Sequence, residues 1–564
     1  MGLDHGRITF PPPSMHLEAT PEVIRGWYER QLEVDGYKQF LDGFVMNISN
    51  GDDGMVTKIH SKPFIFGTID DHDYGQNNGD ITFQYMKESN LAFMDFIYGG
   101  IDEDKDSRCS TEEKEGSSSH QRKGRSKFND PMYQRSLDGK GVYGVQVFDF
   151  SRQVNIGDGN NVWGGGHWVP EYEAMIDPDV VIVKNETTVN YSTTHSVAVF
   201  ALDVRSNKTP WPKGKHHGNN PTAYSSSSSS IDVPALDFLG VEQWEWLKSA
   251  LANSHATVNV IVSGLQVHTD RFPNDGNVVE EWSKFPESRD MLYDMILNSH
   301  VKSPLLISGD VHMSQFLRKD CVRSMDVQKL NNDETKSQPP KRSLIEVTTS
   351  GMTHSWGTSF SSQPKHHTWP LWPYSYLVSR TFMTLCHFVC PWNEIITRNM
   401  GQEGDLAAGK QYYLGLNFAE LEFDFANEED NSDSGAVRVR IFGKKENEPP
   451  KLEARWTFEQ LSGATNLPGM TAKVQDFVSL GKETSDWVCV PYRGLPSALH
   501  YYTAIVIQFV VFCFLFFLPY IVVAGTFVMV RRQWWLSKRT SKIIDRSGES
   551  NRHTKPAESK NKDD

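Results

Sequence analysis

"FIFGTIDDHDYGQNNGD", residues 64–80, ends an apolar run with Asp70, Asp71, His72 and Asp73 in consecutive positions. Neighbouring carboxylates repel one another and shift upward in pKa when desolvated, so a cluster of this kind needs either a cation or water. The stretch is also rich in turn formers, which leaves a plain solvated loop as the competing interpretation. A second stretch weighs against it. "LLISGDVHMSQF", residues 305–316, places Asp310 and His312 directly after another apolar run, with Gly309 permitting close backbone approach. Two strand ends carrying the same ligand chemistry favour one shared centre. Carboxylate and amide oxygens with one or two imidazoles suit calcium, magnesium, manganese or iron. In a two-metal hydrolase such ions polarise a phosphoryl oxygen and acidify water, and a histidine such as His72 protonates the leaving alkoxide.

Working outward, "KPFIFGTI", "SVAVFAL", "TVNVIVSGLQV", "SPLLIS" and "SLIEVTTSG" are predicted to be buried strands that deliver polar residues, Asp70, Asp203, His268, Gly309 and His354, from their ends or just beyond. Amphipathic helices alternate with them, notably "GVEQWEWLKSALANS" and "SRDMLYDMILNSH". "FAELEFDFA", "AVRVRIFG" and "LEARWTFEQL" alternate with period two, as consecutive antiparallel strands do. The expectation is an α/β domain with a mixed sheet system.

"TIDDHDYGQNNGD" is similar to the W-D-D-H-D-Y-G-x-N-D stretch of the alkaline phosphatase D (PhoD-like) metallophosphatases, and "LLISGDVHMSQF" to their S-G-D-V-H motif. "FALDVRSNKTPW", "LGVEQWEWLKSAL", "IVSGLQVH", "EEWSKFPESRDMLYDMI", "IEVTTSGMTHSW" and "LNFAELEFDF" also follow in the family's order, so the resemblance covers roughly residues 60 to 460. It implies a calcineurin-like metallophosphatase sandwich of two mixed β-sheets flanked by helices. It also implies a pair of metal ions, iron and calcium, with manganese, magnesium or zinc as alternatives, and hydrolysis of phosphomonoesters or phosphodiesters. On the matched positions the resemblance implies Asp71, Asn77, Asp310 and His312 as metal ligands, with His72 as leaving-group acid or as a hydrogen-bond donor to the transition state. Arg205 of "LDVR" is a candidate for a phosphate oxygen, against the alternative of an ion pair. His268 and His354 are candidates for the site, against ordinary packing. Ile69 stands where the family has Trp, a change of pocket wall. The family's early G-D-x-x-Y-x-D motif, which carries a bridging carboxylate, has no complete copy. Either Asp4 is its last residue, with the first strands and a signal peptide upstream of Met1, or the chain lacks that ligand.

The chain has 564 residues and a formal net charge of -14, which argues against a nucleic-acid binder. Tyr501 to Val530 contain no charged residue, long enough to cross a bilayer. Residues 531–564 then carry ten Lys or Arg against five Asp or Glu, which orients the tail to the cytosol and the N-terminal part to a lumen or the cell exterior. Sequons at Asn47, Asn185, Asn190 and Asn207 are compatible with a glycoprotein on that side. No signal peptide is recognisable at "MGLDHGRITFPPPS". Outside the span, five cysteines allow one or two disulfides without fixing a pairing. The expected organisation is a metallophosphatase domain over 1–490 with polar insertions near 103–127, 213–232 and 331–342. A juxtamembrane segment (491–500), a transmembrane helix (501–530) and a basic cytoplasmic tail (531–564) follow. The expected partners are a small phosphorylated substrate and the membrane. Two functions remain open: a membrane-anchored, metal-dependent phosphoesterase, and a non-catalytic receptor or scaffold that keeps the phosphatase fold.

Overall fold

The strands Ser196–Leu202, Val258–Ser263, Pro304–Ser308 and Arg342–Thr349 lie side by side and parallel, four apolar runs covered on both faces. The computed structural model of the chain describes residues 19–49, 56–61, 63–98, 130–151, 153–155, 161–163, 167–175, 183–184, 187–188, 191–210, 233–270, 280–331, 341–352, 355, 381, 412–425, 435–445, 447–467, 472–481, 485–495 and 497–550. The chain divides into two compact units, Met1–Tyr376 with Trp392–Pro496, and Leu377–Pro391 with Ser497–Asp564.

In the first unit, apart from three two-stranded ribbons, the strands are β1 (Gly144–Asp149), β2 (His167–Val169), β3 (Ser196–Leu202), β4 (Val258–Ser263), β5 (Pro304–Ser308), β6 (Ser314–Arg323), β7 (Arg342–Thr349) and β8 (Tyr412–Tyr413). They continue with β9 (Phe418–Asp424), β10 (Ala436–Phe442), β11 (Leu452–Thr457) and β12 (Trp487–Pro491). The large sheet has nine strands in the order β8-β6-β7-β5-β4-β3-β1-β2, with β12 also on β6. Its centre is parallel and its flanks antiparallel, so it is mixed. The second sheet, β9-β10-β11, has three strands and is antiparallel throughout, where two mixed sheets were expected.

Period-two alternation explains how one sheet serves two cores. Leu305, Ile345 and Val347 point to one face, where they meet Val437, Val439, Leu452 and Trp456 of the small sheet. Phe200, Leu202, Ile261 and Leu306 point to the other and meet Trp244, Leu247, Leu292 and Ile296. The last four belong to the helices Gly240–Ala252 and Pro286–Asn298, as the sequence periodicity predicts. Gln243 on the first of these accepts from the Asp203 backbone N–H at 2.9 Å and donates to its carbonyl at 2.8 Å, which pins the end of β3. A third core joins Pro21–Glu33, Met86–Ile97 and Pro131–Leu137 around Tyr28, Phe93, Phe96 and Tyr74.

The run 62–69, expected as a strand, is irregular over its described residues 63–69. Pro63 has no N–H to give a ladder and Gly67 has no side chain to pack, while Phe64 anchors the segment edge-on to the Phe148 ring, 5.4 Å between centroids. Cys321 and Cys489, directly opposite on β6 and β12, form a disulfide. The segments 103–127 and 213–232 lie outside the described residues, as do 332–340 of the third polar insertion.

In the second unit one helix runs from Ala498 to Ser550, through the stretch expected to span a membrane. Among the described residues no helix is long and apolar enough to cross a membrane. Six side chains between Tyr501 and Pro519 lie outside the described ones.

Trp244 is fully buried and donates its indole N–H to Asp237 Oδ1 at 2.9 Å. Trp244→Ala is expected to lower unfolding stability by about 3–5 kcal/mol in urea denaturation, and Met325→Ala, at an exposed site, by less than about 0.5 kcal/mol. Replacing both Cys321 and Cys489 by Ala removes a constraint spanning 168 residues and is expected to cost about 2–5 kcal/mol in the same assay.

Candidate metal centre

The carboxyl ends of β3, β4 and β5 sit in register, and the chain beyond them carries the polar groups of the site. After β5, Gly309 donates its N–H to Gly264 O at 3.2 Å, just past the end of β4. A Cβ on Gly264 would stand 3.1 Å from Asp70 Oδ1, so a glycine there is what lets the 70–73 segment approach the strand ends. Asp310 (φ 65°) and His312 (φ 52°) are both in the left-handed region, uncommon for non-glycine residues and frequent at functional sites.

Asp70, Asp71 and Asp310 converge, each offering an oxygen within 4.8 Å of the others. Asp70 precedes a single helical turn, Asp71–Tyr74, that splits the acidic run between two environments. Asp71 faces the cluster. Its Oδ1 accepts the His72 N–H at 2.7 Å and its Oδ2 the Asn78 N–H at 3.1 Å. Asp73 is buried toward Tyr28, and desolvation pushes its carboxyl up to about 6. Burial, reinforced by the charge of Asp73, raises the Tyr28 hydroxyl well above its ordinary value.

Asp310 is raised well above the usual carboxylate range, first by desolvation and then by repulsion from Asp70 and Asp71, against the pull of Arg205. Burial alone would lower the Arg205 guanidinium, but Glu280, Asp70, Asp71 and Asp310 together raise it well above its ordinary value. Lys208 is lowered by desolvation and by Arg205. Four carboxylates thus meet two cations, Arg205 and Lys208, which leaves the fully ionised set two charges short. An all-carboxylate donor set with that deficit fits a hard divalent cation.

Arg205 is fully buried and its fork is turned inward. Nε and Nη2 reach Asp70 Oδ1 at 3.0 and 2.5 Å, and Nη1 reaches Glu280 Oε2 at 2.5 Å. The ion-pair alternative is therefore the one the geometry presents. His72 is partly exposed, with Nε2 3.8 Å from Asp71 Oδ1. Asn77 is exposed on the turn that follows. His312 is half-buried, donates its backbone N–H to Ser350 Oγ at 3.1 Å, and is not among the three converging residues. His268 is fully buried between Tyr293 Oη and Leu344 O, each at 3.0 Å, and burial lowers its pKa well below the ordinary value, so it is a packed, neutral histidine. His354 lies outside the described residues.

Sequence reasoning gave no role to Asp70 as a ligand, to Glu280 or to Lys208. Asp70 was overshadowed by its neighbour in the motif. For Glu280 the available signal was a doubled Glu preceding Trp282 inside a family-like segment, and for Lys208 a lysine three residues after Arg205.

A mixed α/β domain with clustered carboxylates at parallel strand ends is a scaffold for a metal site. Residues 174–366 match the family model described as PhoD-like phosphatase, the family the sequence resembles. That range contains Arg205, Glu280, Asp310 and His312 but not the 70–78 segment. A solved structure described as "Structure of PhoD" is similar at 14% identity and a TM-score of 0.22, over 50% of this chain and 38% of that one. No curated protein matches the chain.

Asp310 gives a pH test. Its pKa is raised in the folded state, so its contribution is fully present below the unfolded value of about 3.9 and is lost as pH rises through the folded one. In metal-free protein Asp310→Asn is expected to remove that loss, raising Tm relative to wild type above about pH 5 in thermal melts with EDTA. The same variant is expected to lose most of any Tm increase that Mn2+ gives wild type.

Proposed function

We propose that the protein is a membrane-anchored, metal-dependent phosphoesterase that hydrolyses phosphomonoesters or phosphodiesters. The observation that carries this is the convergence of Asp70, Asp71 and Asp310 at the ends of parallel strands. The PhoD-like match over 174–366 supports phosphoester chemistry.

Asp70, Asp71 and Asp310 would hold the cation, and Asn77 and His312 on the adjoining loops would be its further ligands. When bound, the cation polarises a phosphoryl oxygen and lowers the pKa of water, and a second ion of the family's pair would extend that clamp. Arg205 keeps Asp70 oriented. Water adds to phosphorus and gives up a proton to bulk solvent as the ester P–O bond breaks, and the leaving oxygen takes a proton from His72, whose ring is partly exposed beside Asp71 and is reprotonated from solvent.

The Cys321–Cys489 disulfide supports an oxidising compartment, hence a lumenal or extracellular catalytic unit. The charge-free stretch 501–530, followed by Arg531, Arg532, Trp534 and Trp535, supports anchorage with the C-terminus in the cytosol.

Purified chain is expected to hydrolyse p-nitrophenyl phosphate or its bis ester after loading with Mn2+, Ca2+ or Fe, and to lose that activity in EDTA. Absence of hydrolysis under every loading would favour the non-catalytic receptor instead. His72→Ala is expected to lower kcat by about 10²–10⁴-fold on alkyl phosphates. On p-nitrophenyl esters, whose leaving group needs no proton, the loss should be far smaller.

A further inference from the structure

We infer that Glu280 and Lys208 are positioning residues of the carboxylate site, joined to Arg205 in one buried device that sets Asp70 and Asp71 relative to each other. This rests on the metal-site reading of Asp70, Asp71 and Asp310. Glu280 is 5% exposed, and Arg205 and Lys208 are fully buried.

Two arms leave Glu280. Through Oε2 it holds Arg205 Nη1, and the rest of that fork holds Asp70. Through Oε1 it holds Lys208 Nζ, which also donates to the backbone carbonyls of Asn78 at 2.8 Å and Gly79 at 3.1 Å. The Asn78 N–H in turn donates to Asp71 Oδ2. One carboxylate therefore governs two neighbouring ligands by separate routes, one through a side chain and one through the backbone of a turn.

Two cations this close to a metal site would otherwise compete with the ion for its carboxylates. Glu280 takes one end of the Arg205 fork and the charge of Lys208, so the fork bonds Asp70 through Oδ1 alone and Lys208 acts on Asp71 only through the backbone of the turn. Removing a cation near a cation site tightens binding by charge alone, whereas removing a support for the ligands weakens it. Lys208 separates the two effects because it is both.

The experiment is Mn2+ titration of the full chain by calorimetry, with fold checked by circular dichroism, for wild type, Lys208→Met, Glu280→Gln and Glu281→Gln. Glu281 bonds Thr269 and Ser283 and is the control. Both Lys208→Met and Glu280→Gln are expected to bind at least about tenfold more weakly than wild type, with Glu281→Gln unchanged. Tighter or unchanged binding by Lys208→Met overturns the inference, as does binding by Glu280→Gln within twofold of wild type. If one of the two does not fold, the other decides. A wild-type protein that binds no Mn2+, Ca2+ or Fe overturns the metal-site reading and the inference together, whereas normal wild-type binding with unaffected variants overturns the inference alone.

Discussion

Mutual repulsion among Asp70, Asp71 and Asp310 is the constraint on which the site depends. Carboxylates whose oxygens lie within 4.8 Å of one another beside half-buried strand ends cannot all ionise without compensation, and Asp310, raised first by desolvation, is raised further by Asp70 and Asp71. Buried cations answer part of that demand. Arg205 and Lys208 are both held in place by Glu280, and Lys208 also by the backbone carbonyls of the 78–79 turn. The deficit that remains is one that a bound cation would neutralise.

The scaffold serves this arrangement by bringing three parallel strand ends into register while keeping bulk away from them. Gly264 clears the space for Asp70, and the left-handed backbone at Asp310 turns its side chain out of the strand direction. The two faces of the sheet are filled independently, by helices on one and by the small antiparallel sheet on the other. Stability is concentrated in those layers, and the strand ends are left to carry unfavourable charge.

Much of this was legible in the chain. Four of the five predicted central strands and the three late antiparallel ones are present, because runs such as "SVAVFAL" and "AVRVRIFG" carry strong β-branched or period-two signals. The run before Asp70 misleads because it is apolar but interrupted by Pro63 and Gly67. Asp71 and Asp310 were picked out by the family resemblance of their motifs, and Asp310 also by its place directly after a strand that is present. Glu280 was not, since it belongs to no local pattern and owes its role to side chains 72 and 75 positions away. Nor could the sequence say that Asp70 and Asp71 would part from Asp73, because one helical turn decides which way each points. His268 resembled a site residue at a strand end and is a packing residue, fixed by contacts with Tyr293 and Leu344 that come from distant segments.

The disulfide between β6 and β12 has a mechanical side. β12 ends at Pro491, two residues beyond Cys489, and the chain then leads toward the helix that begins at Ala498. Tension applied from the C-terminal direction meets a covalent bond almost at once, before it can reach the rungs at Val488 and Trp487. The outermost strand therefore cannot be unzipped one hydrogen bond at a time. Load passes into β6 and on to its partner β7, where many bonds must yield together in shear. Reduction of that one bond would turn a latch into a zipper.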